Sequence, residues 1–248
     1  MVLAAQAVGL VGAVVFAVAT VQPMPEAGSL AWAAAAGIAG IVALAAFYQA
    51  LAIGRMGIVA PVAGVLGASI PVVIGIAGQG PPSALQAVGI ALAVASVALV
   101  SRPGDQPAGE HDRRALVLAI AAGVGFAMFI TFMSRAGDAS VPWLVSASRV
   151  SAVALMAVIV LATRTRPSSG ARAWLGMAAI AGIFDVVGNG MFVAAVQTGR
   201  LDVAAVTSSL YPIATVILAR VVLGERFAHV HVVGIAVATT AIVCIAAG

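Results

Sequence analysis

The sequence predicts an all-α membrane protein, a polytopic helical bundle of about nine transmembrane helices in two inverted repeats. The first observation behind this prediction is composition: 63% of the 248 residues are apolar, 8% are charged, and the mean hydropathy is +1.17. A soluble domain of this size needs a far more polar surface, so lipid must cover this one. The second observation is that short apolar motifs recur along the chain at one constant offset.

Three pairs of segments carry this repetition. They are residues 33–38 with 178–183, residues 53–55 with 198–200, and residues 88–91 with 233–236. Internal repetition in a polytopic membrane chain is the architecture of many secondary transporters, in which two repeats enclose a central substrate site.

Runs of about twenty apolar residues, the length that crosses a bilayer, divide the chain into nine predicted spans. The spans lie near residues 2–20, 30–51, 58–77, 84–100, 115–134, 142–162, 174–197, 203–222 and 231–247. The first run has no basic segment before it and is long for a cleaved leader. We therefore expect it to be a spanning helix.

The longest polar connection, residues 101–114, is rich in Pro, Gly and charged residues and divides the chain into two units. The first repeat is predicted at residues 1–100 with four helices, and the second at 115–248 with five. Five crossings is an odd number, so two complete consecutive repeats lie in opposite orientations around a midplane cavity. The first repeat lacks its first helix, because its opening helix aligns with the later span that contains Arg149.

The second repeat contains the motifs FDVVGNGMF from Phe184, SSLYPIAT from Ser208, LARVVLGERF from Leu218 and VVGIA from Val232. With YQALAIGRMGIVAP from Tyr48, they resemble the EamA-type family of the drug/metabolite transporter superfamily over nearly the whole chain. The resemblance implies ten helices in a 5+5 pattern and the export of small metabolites, amino acids or drugs. The chain departs from the pattern in its missing first helix and in residues 78–80, which read GQG where the second repeat has LGE.

Charged side chains inside the predicted spans are the leading candidates for function. A charge near the bilayer centre costs roughly 2.5–3.5 kcal/mol, so it needs a partner, a water-filled cavity or a function. Asp185 lies near the middle of its span, and Asn189 follows one turn later on the same face. We expect this pair to line the cavity, with Asp185 binding a proton, a cation or a substrate amine; a structural hydrogen-bonding pair is the alternative. Arg149 is expected to pair with Asp185, either within the transport cycle or as a static bridge.

Four other polar residues are weaker candidates. Ser208 and Tyr211 precede Pro212, which frees a backbone carbonyl, and they either line the cavity or bond back to their own helix. Tyr48 and Gln49 lie near the end of their span, where interfacial anchoring explains Tyr48 better than cavity lining does. The candidate cavity residues are therefore Asp185, Asn189, Arg149, Ser208, Tyr211, Tyr48 and Gln49.

Other classes of site are not expected. His229 and His231 share a loop without a third ligand, so neither a metal nor a catalytic residue is predicted, and no cofactor. The formal charge of +4 comes from scattered arginines, which do not form the basic patch that nucleic acid requires. Eight loop arginines lie on one side of a nine-helix arrangement and predict that side as cytoplasmic, whereas Arg135 and Arg200 lie on the other.

Transport is the leading functional hypothesis. We expect a multi-pass protein of the cell membrane, not an enzyme, that exports a small metabolite, amino acid or drug by alternating access, with a proton gradient as the simplest energy source. A lipid-modifying membrane enzyme is less favoured, because the one dense acidic group lies in the linker. A truncated remnant or an oligomer-dependent subunit, including a homodimer, is the third hypothesis; we favour a true start upstream of Met1.

Overall fold

The computed structural model describes residues 2–54, 56–100, 110–163 and 171–208, with scattered residues between 233 and 244. Its helices are α1 (Val2–Ala19), α2 (Ala27–Ile53), α3 (Met56–Gln79), α4 (Ala84–Val100), α5 (Glu110–Arg135), α6 (Val141–Thr163), α7 (Ala171–Thr198) and α8 (Leu201–Ser208). Five of these described helices, α1, α2, α5, α6 and α7, are long and apolar enough to cross a membrane. The predicted all-α membrane bundle is confirmed in this part of the chain. Most of the predicted spans 203–222 and 231–247 lies outside the described residues.

The helix ends follow local backbone chemistry as well as hydropathy. At the start of α4, the Ser83 hydroxyl accepts a hydrogen bond from the Gln86 N–H at 3.1 Å. The Gln86 side-chain oxygen accepts one in return from the Ser83 N–H, also at 3.1 Å. This reciprocal capping box fixes where α4 begins. α3 continues through Pro61 and Pro71, as helices inside a membrane often do.

The chain forms two compact units, and the first comprises Met1–Ile41 and Phe129–Thr198. In it α1 packs against α6 and α7. Beyond the end of α1, the Gln22 carbonyl accepts a hydrogen bond from the Trp143 indole N–H at 3.0 Å, near the start of α6. Gln6, near the start of α1, contacts Arg149 in the middle of α6. α1 and α6 therefore run antiparallel.

Small residues set the helix spacing in this unit. A Cβ added to Gly37 on α2 would overlap the Ser148 carbonyl oxygen on α6. A Cβ added to Gly182 on α7 would overlap the Ala5 carbonyl oxygen on α1. Close backbone approach of this kind lets helices associate where no water is present to drive them together.

The second compact unit comprises Val42–Met128 and Gly199–Gly248. Its core cluster contains Ala50, Val59, Ala115 and Ala119. The Phe47 and Phe126 rings pack edge to face at 5.8 Å between centroids, joining the end of α2 to α5. α3 packs against α4 and α8. Each compact unit contains segments of both predicted sequence repeats, whose boundaries remain a prediction.

Candidate functional site

An ion pair joins α6 to α7 inside the first unit. The Arg149 Nη1 atom lies 2.6 Å from the Asp185 Oδ2 atom. The pairing expected from the sequence is therefore confirmed. The two side chains differ in accessibility, since 8% of Arg149 and 44% of Asp185 is exposed. The carboxylate is therefore the more accessible member of the pair.

Asn189 holds the other oxygen of the same carboxylate. Its Nδ2 atom donates to Asp185 Oδ1 at 2.8 Å and to the Asp185 backbone carbonyl at 2.7 Å. The helical spacing of four residues predicted this contact. Asp185 thus has one oxygen bound by a neutral amide and the other by a guanidinium, which fixes the orientation of the carboxylate.

Gln6 on α1 completes the cluster, and the sequence reasoning missed it. Its side-chain oxygen accepts a hydrogen bond from Arg149 Nη1, the same nitrogen that contacts Asp185. Gln6 and Arg149 are both buried. Gln6 shares one face of α1 with the small residues Gly9, Ala13 and Ala17, but nothing in the sequence shows that this face is buried.

The rest of the Arg149 guanidinium is incompletely satisfied. Its Nε atom is buried and has no hydrogen-bond partner among the described residues. The hydroxyls of Ser146 and Ser148 donate to backbone carbonyls of their own helix, at 2.7 and 2.8 Å. An unsatisfied buried donor costs free energy, which lowers the net stabilisation that the cluster provides.

The remaining candidates do not belong to this unit. Tyr48, Gln49 and Ser208 are exposed residues of the second unit, on α2 and at the end of α8. The Tyr48 ring lies 6.3 Å from that of Phe47. Tyr211 lies outside the described residues. Their part in a cavity remains a prediction.

A second charged pair lies in the second unit, where α8 begins. Asp202 is fully buried and accepts two hydrogen bonds from Arg200, from Nε and from Nη2, each at 3.0 Å. Arg200 Nη2 also donates to the Gly80 carbonyl at 2.7 Å, beyond the end of α3. The hydrogen bond to Asp202 raises the pKa of the Arg200 guanidinium, so the charge persists at any working pH. Arg200, expected only as a loop arginine, fastens the start of α8 to the end of α3.

An apolar groove of about 560 Å³ opens between α1, α6 and α7 in the first unit. Its lining consists of apolar side chains and glycines, among them Phe16, Val145 and Ile183. None of the candidate cavity residues lines it. The groove lies on a different face of α7 from Asp185 and is separate from the polar cluster.

The repeat offset pairs α2 with α7, but the two helices are covered unequally. On α2, Ala36 is buried, and a Cβ added to Gly40 would lie 3.0 Å from the Phe129 ring of α5. The same offset places Asp185 opposite Gly40, and Phe184 beside it is 73% exposed. α5 therefore covers this face of α2, whereas the equivalent face of α7 is largely exposed among the described residues.

Across the part of the chain that the structure describes, no group of three or more His, Cys, Asp or Glu side chains is placed to hold a metal ion. His229 and His231 lie outside that part.

These features define a polytopic helical membrane protein with a charged cluster between its spans. The chain belongs to the EamA-like transporter family, whose model matches residues 113–247. It is thus a membrane transporter of the drug/metabolite transporter superfamily, a class compatible with the expectation that it is not an enzyme. The fold is also similar to that of a solved structure described only as "Crystal structure of protein". The TM-score is 0.81 and the identity 14%, over 99% of this chain and 87% of the other. A search of curated proteins found no match.

Proposed function

We propose that the protein is a secondary transporter that exports a small metabolite, amino acid or drug by alternating access. The observation that carries this proposal is the ion pair between Arg149 and Asp185, which places a half-exposed carboxylate within a membrane-spanning helix. A charge in that position is costly unless it faces a cavity, a partner or a ligand. Asp185 is the proposed binding group for a proton, a cation or a substrate amine, with Asn189 and Arg149 as its immediate partners.

Two further observations support the inverted-repeat architecture that alternating access uses. α1 and α6, which correspond in the repeat alignment, run antiparallel, as inverted repeats require. The corresponding glycines Gly37 and Gly182 each allow the backbone of a helix from the other repeat to pack closely. Both observations fit a movement in which one repeat rocks against the other.

The test is transport by the full chain in inverted membrane vesicles, with metabolites, amino acids and drugs as candidate substrates and with or without a proton gradient. We expect Asp185→Asn to reduce transport at least about tenfold, because the substituted side chain can neither carry charge nor exchange a proton. Ser134→Ala is the matched control, since that hydroxyl donates to the Thr131 carbonyl of its own helix. Equal transport by the Asp185→Asn variant and the control would remove Asp185 from the mechanism.

The uneven covering of α7 favours a second candidate, an oligomer-dependent membrane subunit. A half-exposed carboxylate that faces lipid is costly, so a second copy of the chain is proposed to cover this face. With Cys244 replaced by Ser, Gly188→Cys on the open face should form a disulfide between copies in the membrane. Ile38→Cys, on an exposed apolar position of α2, should not. Equal cross-linking of both variants, or of neither, would exclude this arrangement.

A further inference from the structure

Two acceptors share one nitrogen of Arg149. Nη1 donates to the Gln6 side-chain oxygen and lies 2.6 Å from Asp185 Oδ2. The two acceptors belong to different helices, α1 and α7, and they differ in charge. Both bonds are strengthened by the charge of the guanidinium, and the carboxylate adds an opposite charge that the amide lacks.

Arg149 is the charged side chain that the described residues show in contact with Gln6. α1 contains no charged side chain, and Arg149 is the only one in α6. In α7, Asp185 is the charged residue that reaches this cluster. The environment of Arg149 in the described residues therefore consists of one carboxylate that is accessible and one amide that is not.

Arg149 needs an acceptor whenever Asp185 is engaged elsewhere. Breaking a buried ion pair leaves an uncompensated charge, which is strongly destabilising. Gln6 is buried against the guanidinium, so its hydrogen bond to Arg149 can remain in place when the carboxylate is engaged elsewhere. The accessible carboxylate then presents a negative charge to a ligand, which selects a cation.

We propose that Gln6 is a positioning residue of the transport site. Its hydrogen bond holds the Arg149 guanidinium in place when the Asp185 carboxylate leaves Arg149 and binds the ammonium group of a substrate. This inference rests on the proposed function, which it deepens in two ways. It assigns a role to Gln6, which acts through its hydrogen bond to Arg149. It also commits the substrate to small molecules that carry a protonated amine.

The first test is a double-mutant cycle read as thermal stability of the full chain in detergent. Gln6→Leu should lower the melting temperature little when Asp185 is present. In an Asp185→Leu background the same change should lower it by about 4 °C more, because Arg149 then has neither acceptor. In an Arg149→Leu background this additional loss should disappear. Equal effects of Gln6→Leu in all three backgrounds would overturn the proposal.

A second variant keeps the test decisive if the double variant does not fold. Gln6→Glu in the Asp185→Leu background supplies a carboxylate at the position of the amide. It should raise the melting temperature above that of Asp185→Leu alone, since the charge pair is restored. A side chain at position 6 that does not contact Arg149 predicts the opposite sign, because an unpaired buried carboxylate would replace a neutral amide of the same shape.

The substrate class is tested with three matched probes, phenethylamine, 2-phenylethanol and phenylacetate. Phenethylamine alone should raise the melting temperature of the unsubstituted protein, and it should not do so for Asp185→Leu. A rise in melting temperature with phenylacetate alone would overturn the ammonium assignment. The absence of a rise with all three probes would overturn it as well. If the effects in the cycle are additive but transport still depends on Asp185, only the role of Gln6 would be refuted. If the cycle shows coupling between Gln6 and Asp185 but Asp185→Asn leaves transport unchanged, the proposed function would be refuted instead.

Discussion

Gly37 and Gly182, which correspond under the repeat offset, each lie where the backbone of another helix passes. Gly37 of α2 faces the Ser148 carbonyl of α6, and Gly182 of α7 faces the Ala5 carbonyl of α1. Each contact joins a helix of one predicted repeat to a helix of the other. The two repeats are thus packed into each other within the first unit.

Alanine at either glycine should destabilise the protein, because the added Cβ would overlap a backbone oxygen that cannot move alone. Overpacking of this kind costs about 1–3 kcal/mol. The measurement is the melting temperature of Gly37→Ala and Gly182→Ala in detergent. Gly28→Ala and Gly176→Ala are controls on the same two helices, where an added Cβ meets no described atom within 4 Å. Equal losses in all four variants would show that helical glycines matter here for another reason.

Removing Arg200 should destabilise the protein more than removing both members of its pair. Arg200→Gln leaves the buried Asp202 carboxylate without its guanidinium, whereas Arg200→Gln with Asp202→Asn leaves no charge. Because the pKa of Arg200 is raised, the stabilisation from its charge is fully present below the ordinary pKa of arginine and is lost only in strong alkali. Melting temperatures of the two variants at neutral pH check the order. A double variant less stable than Arg200→Gln would contradict it.

The capping box at the start of α4 gives a local prediction. Ser83→Ala removes the acceptor for the Gln86 N–H and should cost about 0.5–2 kcal/mol. Ser83→Asp keeps an acceptor in the same place and should cost little. Chemical or thermal unfolding of both variants distinguishes a cap from a side chain that only occupies space, for which the two substitutions would behave alike.

Asn189→Asp should impair the proposed transport site. It would place a second carboxylate one turn from Asp185 in a weakly screened environment, where like charges repel. Uptake in the vesicle assay should fall about tenfold or more, whereas Asn189→Gln, which retains the amide donor, should keep a larger share. Full uptake by Asn189→Asp would show that Asn189 does not control the charge at Asp185.

Hydropathy located the helices well, because a run that must satisfy its backbone inside lipid becomes a helix. It did not locate the ends. α5 begins at Glu110 and α2 reaches Ile53, beyond their apolar windows, because helical hydrogen bonds continue past the lipid boundary. The Arg149–Asp185 pair was predictable because two charges in spans need each other. Gln6 was not predictable, since the sequence does not single out an uncharged amide near a helix end until that face of the helix is known to be buried. The joining of Arg200 to Gly80 depends on tertiary contacts that no local pattern contains.

The packing of α1 depends on helices that are synthesised later. Its main packing partners among the described helices, α6 and α7, are made long after it. At synthesis rates of about 5–20 residues per second, α1 emerges roughly 10 to 40 s before α7 is complete. Until α6 is made the Gln6 amide has no Arg149 guanidinium to accept from, and until α7 is made Gly9 of α1 lacks the helix that packs against it. The nascent first helix must therefore wait, in lipid or beside the insertion machinery, for a neighbour from the far end of the chain.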